Sequence, residues 1–115
     1  MTAAAMIDLD HLEKYVVGDV ALRDEILLIF GDQVQQLSEQ FSIDQSDDGW
    51  GDTAHAIKGA ARGIGAWVLG DLCAEAEALT GKIPGKSEKR AALLVSLRQH
   101  LETTLGEAKR LRDIN

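Results

Sequence analysis

The sequence predicts an all-α protein: an antiparallel up-and-down four-helix bundle with a short additional N-terminal helix packed at one end. Three observations predict it. One proline and 4% aromatic residues are low for sheet-forming chains, whose turns and pleated faces favour both. Apolar residues recur at spacings of three and four over most of the chain, the period of a helix with one buried face. Clusters of turn-forming residues cut that pattern into segments joined by short links, which make consecutive helices antiparallel neighbours.

The first helix is expected over residues 7 to 17, with Asp8 or Asp10 as N-cap, Leu9, Leu12 and Val16 as its apolar positions, and Gly18 as its stop. Asp19 can then cap a longer helix over 20 to 43, whose stripe is Leu27, Phe30, Val34, Leu37 and Phe41. The polar run Asp44 to Gly49 interrupts it, and Asp48 is placed to cap a third helix from near Trp50 to about Gly63. Gly63-Ile64-Gly65 breaks the pattern briefly. A fourth helix from about Ala66 to Thr80 presents Val68 or Leu69, Leu72, Ala76 and Leu79, ending before Gly81. After a connection containing Pro84, Ser87 can cap a last helix to about Asp113, carrying Leu94, Leu97, Leu101, Leu105, Ala108 and Leu111.

A chain of 115 residues, 45% hydrophobic and 27% charged, is expected to form one domain around a continuous core. Its formal charge of −7 opposes binding to nucleic acid or anionic lipid. The charge is uneven, because residues 1 to 57 hold twelve acids and two bases while residues 58 to 115 hold seven acids and ten bases. The two halves are set to attract each other within one bundle. Cys73, the single cysteine, reads as a small core residue with no disulfide or metal partner. The N-terminus has neither a basic nor an apolar stretch of a signal peptide, and no apolar run approaches the ~20 residues that cross a bilayer. A cytoplasmic protein without a membrane partner is the expectation.

Chemistry concentrates in the third helix. At 100° per residue Ala54, Ile57, Ala61 and Ile64 share one side, expected to face the core, while His55, Lys58, Gly59 and Arg62 share another, expected to face solvent. An imidazole in water is largely neutral at pH 7 and offers a nitrogen lone pair for attack on phosphorus, so His55 is competent as a nucleophile. Lys58, one turn on, can offset phosphoryl charge, and Arg62 continues the positive strip. Gly59 costs an exposed helix about 1 kcal/mol relative to alanine, a cost that clearance above the imidazole would explain.

The run Ala54-His-Ala-Ile-Lys-Gly-Ala-Ala-Arg-Gly-Ile-Gly65 resembles the signature of the histidine-containing phosphotransfer (HPt) family, His-x-x-Lys-Gly followed by small residues and a second glycine. Leu69 and Leu72 also suit it, and the motif covers about residues 54 to 79. The resemblance implies a phosphorelay intermediate in two-component signalling. His55 would take a phosphoryl group from a receiver-domain aspartate, or from a hybrid histidine kinase through such a domain, and return it to another receiver. It also implies a monomer with no cofactor of its own and no kinase or ATPase activity, the receiver bringing the aspartate and Mg²⁺. Glu77 falls where some members carry glutamine, and a role in orienting His55 or Lys58 is assigned to it.

Competing readings are weaker. His11 has Lys14 one turn on but no following glycine, so it reads as a solvated surface residue; His100 in His-Leu-Glu-Thr-Thr faintly echoes the phosphorylated helix of sensor kinases. No Glu-x-x-His pair is present for a di-metal bundle site, no phosphate loop of the Gly-x-x-x-x-Gly-Lys type occurs, and Gly63-Ile64-Gly65 lacks the preceding strand of a dinucleotide site. The alternative from another class is a non-catalytic helical adaptor that binds receiver or kinase domains without carrying phosphate.

Overall fold

Five helices account for most of the computed structural model, which describes residues 6–113: α1 (Leu9–Val16), α2 (Val20–Gln40), α3 (Asp47–Gly63), α4 (Trp67–Glu77) and α5 (Lys86–Arg112). Helices α2 to α5 pack each against its chain neighbour, and α5 closes the ring on α2, which is an up-and-down bundle. The short α1 lies against α2 and reaches the α3–α4 junction, where the Asp8 N–H donates to the Gly65 carbonyl at 2.9 Å. Gly65 has φ +80°, and a Cβ there would stand 2.8 Å from that of Asp8. Glycine at this position serves both the left-handed turn and the close approach.

Most of the expected core stripes are buried: Leu12 and Val16 of α1, Leu27, Phe30 and Val34 of α2, Ala54, Ile57 and Ala61 of α3, and Leu94, Leu97 and Leu101 of α5, whereas Leu9, the first apolar position expected of α1, is exposed. Each larger one contributes about 1.5–3 kcal/mol relative to exposure. Leu69 rather than Val68 is the buried choice in α4, and Cys73 is wholly buried in the core. Trp50 is wholly buried in the first turns of α3. Its ring stacks at a tilt on Phe41, 4.4 Å between centroids, and its indole N–H donates to the Ala76 carbonyl at 2.7 Å.

The element ends depart from expectation for local reasons. Helix α2 stops at Gln40 because Phe41 turns to extended backbone to bury its ring against Trp50. Helix α3 starts at Asp47 because Ser46, not Asp48, is the N-cap, its hydroxyl accepting from the Gly49 N–H at 3.1 Å. Helix α4 ends at Glu77, short of Thr80: the Trp50 indole takes the Ala76 carbonyl, and the last N–H groups of Ala78 and Leu79 close tighter three-residue turns. Helix α5 begins two residues early, after left-handed Gly85, with no side-chain cap from Ser87. Asp8 and Asp19 cap α1 and α2 as expected, accepting from His11 and Leu22.

A buried cation ties this end of the bundle together. Arg90, 2% exposed, donates to the carbonyls of Leu79 and Gln45 and to the Asp47 carboxylate, and its guanidinium lies 4.6 Å over the Trp50 ring. Asp47 also accepts from Lys86 and from the Gly81 N–H. These bonds hold the start of α3 and the loop after α4 to α5.

Candidate functional site

Helix α3 is immobilised from behind, because Ala54, Ile57 and Ala61 are fully buried and Ile64 nearly so. On the opposite side the His55 side chain is 73% exposed. A Cβ built on Gly59 would meet nothing within 4 Å, so the space on the C-terminal side of the imidazole is open. Tight helix packing therefore does not explain that glycine.

Glu77 reaches across from the last residue of α4. Its Oε1 stands 2.6 Å from the Lys58 ammonium and 3.6 Å from His55 Nδ1. Lys58, expected on the solvent face, is only 19% exposed along its side chain and is turned toward α4. The correction has a simple cause: spacing places a residue on a face, whereas a carboxylate on the next helix decides where a long flexible side chain goes. The ammonium holds the Glu77 carboxyl below the usual carboxylate range, against the opposing effect of partial burial. The trio thus sets the Glu77 carboxylate between the Lys58 ammonium and Nδ1 of the His55 ring.

Arg62 stays half exposed but leans on α4, its guanidinium 3.9 Å from Asp71. A Cβ on Gly70 would stand 3.0 Å from Arg62 Cγ, so that glycine leaves a channel for the arginine stem. Sequence reasoning missed Gly70, and also Arg90 and Asp47, whose pairing supports α3 from the other end. Cys73 lies beneath the trio, where burial first and Glu77 second raise its thiol to about 12. It is no competing nucleophile.

The other histidines are placed differently. His11 is not the solvated residue expected of it: its ring lies edge-on between Trp67 and Tyr15, at centroid distances of 4.8 and 5.2 Å, and its Nε2 is buried. His100 spends Nδ1 on the Ser96 carbonyl at 3.0 Å. Among the described residues no group of three or more potential ligands could hold a metal ion, and no helix is long and apolar enough to cross a membrane.

On the N-terminal side of His55 an open groove of about 430 Å³ is lined by Asp47, Asp48, Gly51, Asp52, Glu77 and the imidazole itself. The two approaches to His55 thus differ, bare over Gly59 and acidic over Gly51.

Comparison with known proteins bears on the family and the fold. The model of the Hpt domain family matches residues 22–111. Among solved structures, the chain resembles the histidine phosphotransferase ShpA from Caulobacter crescentus, with 31% sequence identity and a TM-score of 0.69 over 92% of this chain and 89% of that one. No curated protein sequence matches the chain.

Proposed function

Because the chain belongs to the Hpt domain family, whose members carry phosphoryl groups rather than act as kinases, we propose that His55 is its phosphoacceptor, loaded from a receiver-domain aspartate and unloaded onto another. One observation carries the reading: an exposed imidazole stands on a helix anchored by its opposite face, with open space over Gly59.

With Nδ1 facing Glu77, Nε2 is the nitrogen left to react. In the loading step its lone pair forms the P–N bond while the P–O bond to the receiver aspartate breaks, the electron pair leaving with that carboxylate; unloading is the reverse. Glu77 holds the Nδ1 proton toward itself and so favours the tautomer with a free Nε2. Lys58, one helical turn from His55, offsets charge on the incoming phosphoryl group once it swings from Glu77. In this reading Mg²⁺ is brought by the receiver.

The test mixes the protein with phosphorylated receiver domains and, separately, with ATP and Mg²⁺ alone. Acid-labile, alkali-stable label from a receiver, and none from ATP, is expected. A receiver that binds without labelling the protein would favour the adaptor reading, and label from ATP alone would contradict the carrier reading.

A further inference from the structure

We propose that Gly70 is a positioning residue for partner docking: it admits the stem of Arg62 against α4 and so holds the guanidinium beyond Gly59, where it meets a carboxylate of the incoming receiver. Asp71 stands in for that carboxylate in the free protein. The proposal rests on the reading of His55 as phosphoacceptor.

The seat is steric. Gly70 is buried in α4, and a Cβ on it would stand 3.0 Å from Arg62 Cγ, 3.3 Å from Nε and 3.7 Å from Cδ. These three nearest atoms all belong to one side chain, so the missing methyl accommodates the arginine rather than the bundle core. The Gly70 backbone is not left-handed, and glycine within a helix costs stability, a cost that the lodged stem explains. Gly63 and Gly106 differ, since a Cβ on either would meet nothing within 4 Å.

The second observation is charge. Arg62 stands seven residues after His55, two helical turns and about 10 Å along the axis on the same face. Of the two cations on that face, Lys58 is 19% exposed and held at 2.6 Å by Glu77. The Arg62 side chain is 47% exposed, and its partner Asp71 is 3.9 Å away and itself 78% exposed. An ion pair that long and wet contributes little and exchanges readily. With its stem at Gly70 and its guanidinium at Asp71, Arg62 is committed to α4 two turns from the imidazole, so it serves docking, whereas Lys58 serves the phosphoryl group. A guanidinium offers a planar fork that matches a carboxylate through two parallel bonds. A receiver that carries a carboxylate beyond Gly59 displaces Asp71, and one with a neutral or basic side chain there gains nothing, which makes the pair a selector of partners.

The experiment uses the phosphorylated receiver that loads the unsubstituted protein fastest, and measures kcat and KM at low and high salt for Arg62→Ala, Gly70→Ala, the two combined, and Asp71→Asn. At low salt Arg62→Ala is expected to raise KM about fivefold with kcat unchanged, and most of that rise should vanish at high salt. Gly70→Ala is expected to raise KM about threefold, because the new methyl pushes the stem off its seat. In the combined variant the methyl displaces nothing, so KM should equal that of Arg62→Ala alone, and the melting temperature should be no lower. Asp71→Asn removes the competing carboxylate and should lower KM about twofold at low salt. Unchanged KM in Arg62→Ala or Gly70→Ala, losses that multiply in the combined variant, or a KM raised by Asp71→Asn would overturn the proposal. The unsubstituted protein is also treated with phosphoramidate, a small donor that needs no docking. If that failed to label His55, the phosphoacceptor assignment would fail instead, so the two failures are distinguishable.

Discussion

Two of the carboxylate–cation clusters on α3 are used differently. At the start of the helix Asp47 is saturated, by Lys86, Arg90 and the Gly81 N–H, and the buried Arg90 spends its remaining donors on carbonyls. Eight residues on, at His55, Glu77 divides one oxygen between Lys58 at 2.6 Å and the imidazole at 3.6 Å. The first cluster is closed and spans three elements. The second is partly open, and each member has spare capacity to interact with something that arrives. A satisfied network fixes geometry, whereas an incompletely satisfied one keeps free energy available for a reaction.

Substitution in each cluster is the sharpest way to break that contrast. Arg90→Met leaves the Leu79 and Gln45 carbonyls and Asp47 short of partners and should destabilise by about 2–3 kcal/mol, with little change in the transfer rate of the folded fraction. Lys58→Met should do the opposite, slowing transfer by about tenfold or more while shifting stability by less than about 1 kcal/mol. Chemical denaturation and transfer kinetics on the same preparations decide it. If Arg90→Met lost activity while staying folded, the closed cluster would be part of the reaction rather than its support.

Acid is a gentler probe of the same pair. Lys86, then the Gly81 N–H, hold the Asp47 carboxyl below its ordinary value, and Lys58 does the same for Glu77. A depressed folded pKa means that the unfolded chain binds the proton first. The stability these groups contribute is therefore complete above the ordinary carboxylate value near 4 and lost as pH falls through their folded values. Melting temperature should be nearly flat from about pH 7 to 5 and fall below about pH 4, less steeply in Asp47→Asn. A melting temperature that rose on acidification would contradict the pairing.

Gly59 sets stability against transfer at a single open position. Open space around it means Gly59→Ala should stabilise by about 0.5–1 kcal/mol. Receiver transfer should nevertheless slow, and Gly59→Leu should nearly abolish it in a folded protein, because in-line transfer tolerates little misplacement. A Gly59→Leu variant that transferred at the unsubstituted rate would remove the clearance argument.

The helices, their stripes and the His55 motif were legible because they depend on spacing along one chain. Period three and four found the faces of α1, α2, α3 and α5, and aspartates marked two of the caps. What escaped depends on the third dimension. Ser46 and Asp48 are both good caps two residues apart, and it is the Ser46 hydroxyl that accepts from the Gly49 N–H. Phe41 fits the α2 stripe but leaves the helix to meet Trp50. Arg90 reads as a solvated helical residue until the acceptors from three other segments converge on it, and His11 until Trp67 and Tyr15 close over its ring. Lys58 carried the right face and the wrong direction, since a rotamer follows its partner on α4 rather than its own helix. One glycine told more than expected, since Gly70 makes room for Arg62.

The most direct measurement locates the phosphoryl group. The protein is labelled by a phosphorylated receiver, digested at alkaline pH and mapped by mass spectrometry, with His55→Gln treated in parallel after its fold is verified by circular dichroism. Label confined to the peptide containing His55, and absent from His55→Gln, is the predicted result. Label on His11 or His100, or label that persists in His55→Gln, would contradict the assignment of His55 as the phosphoacceptor.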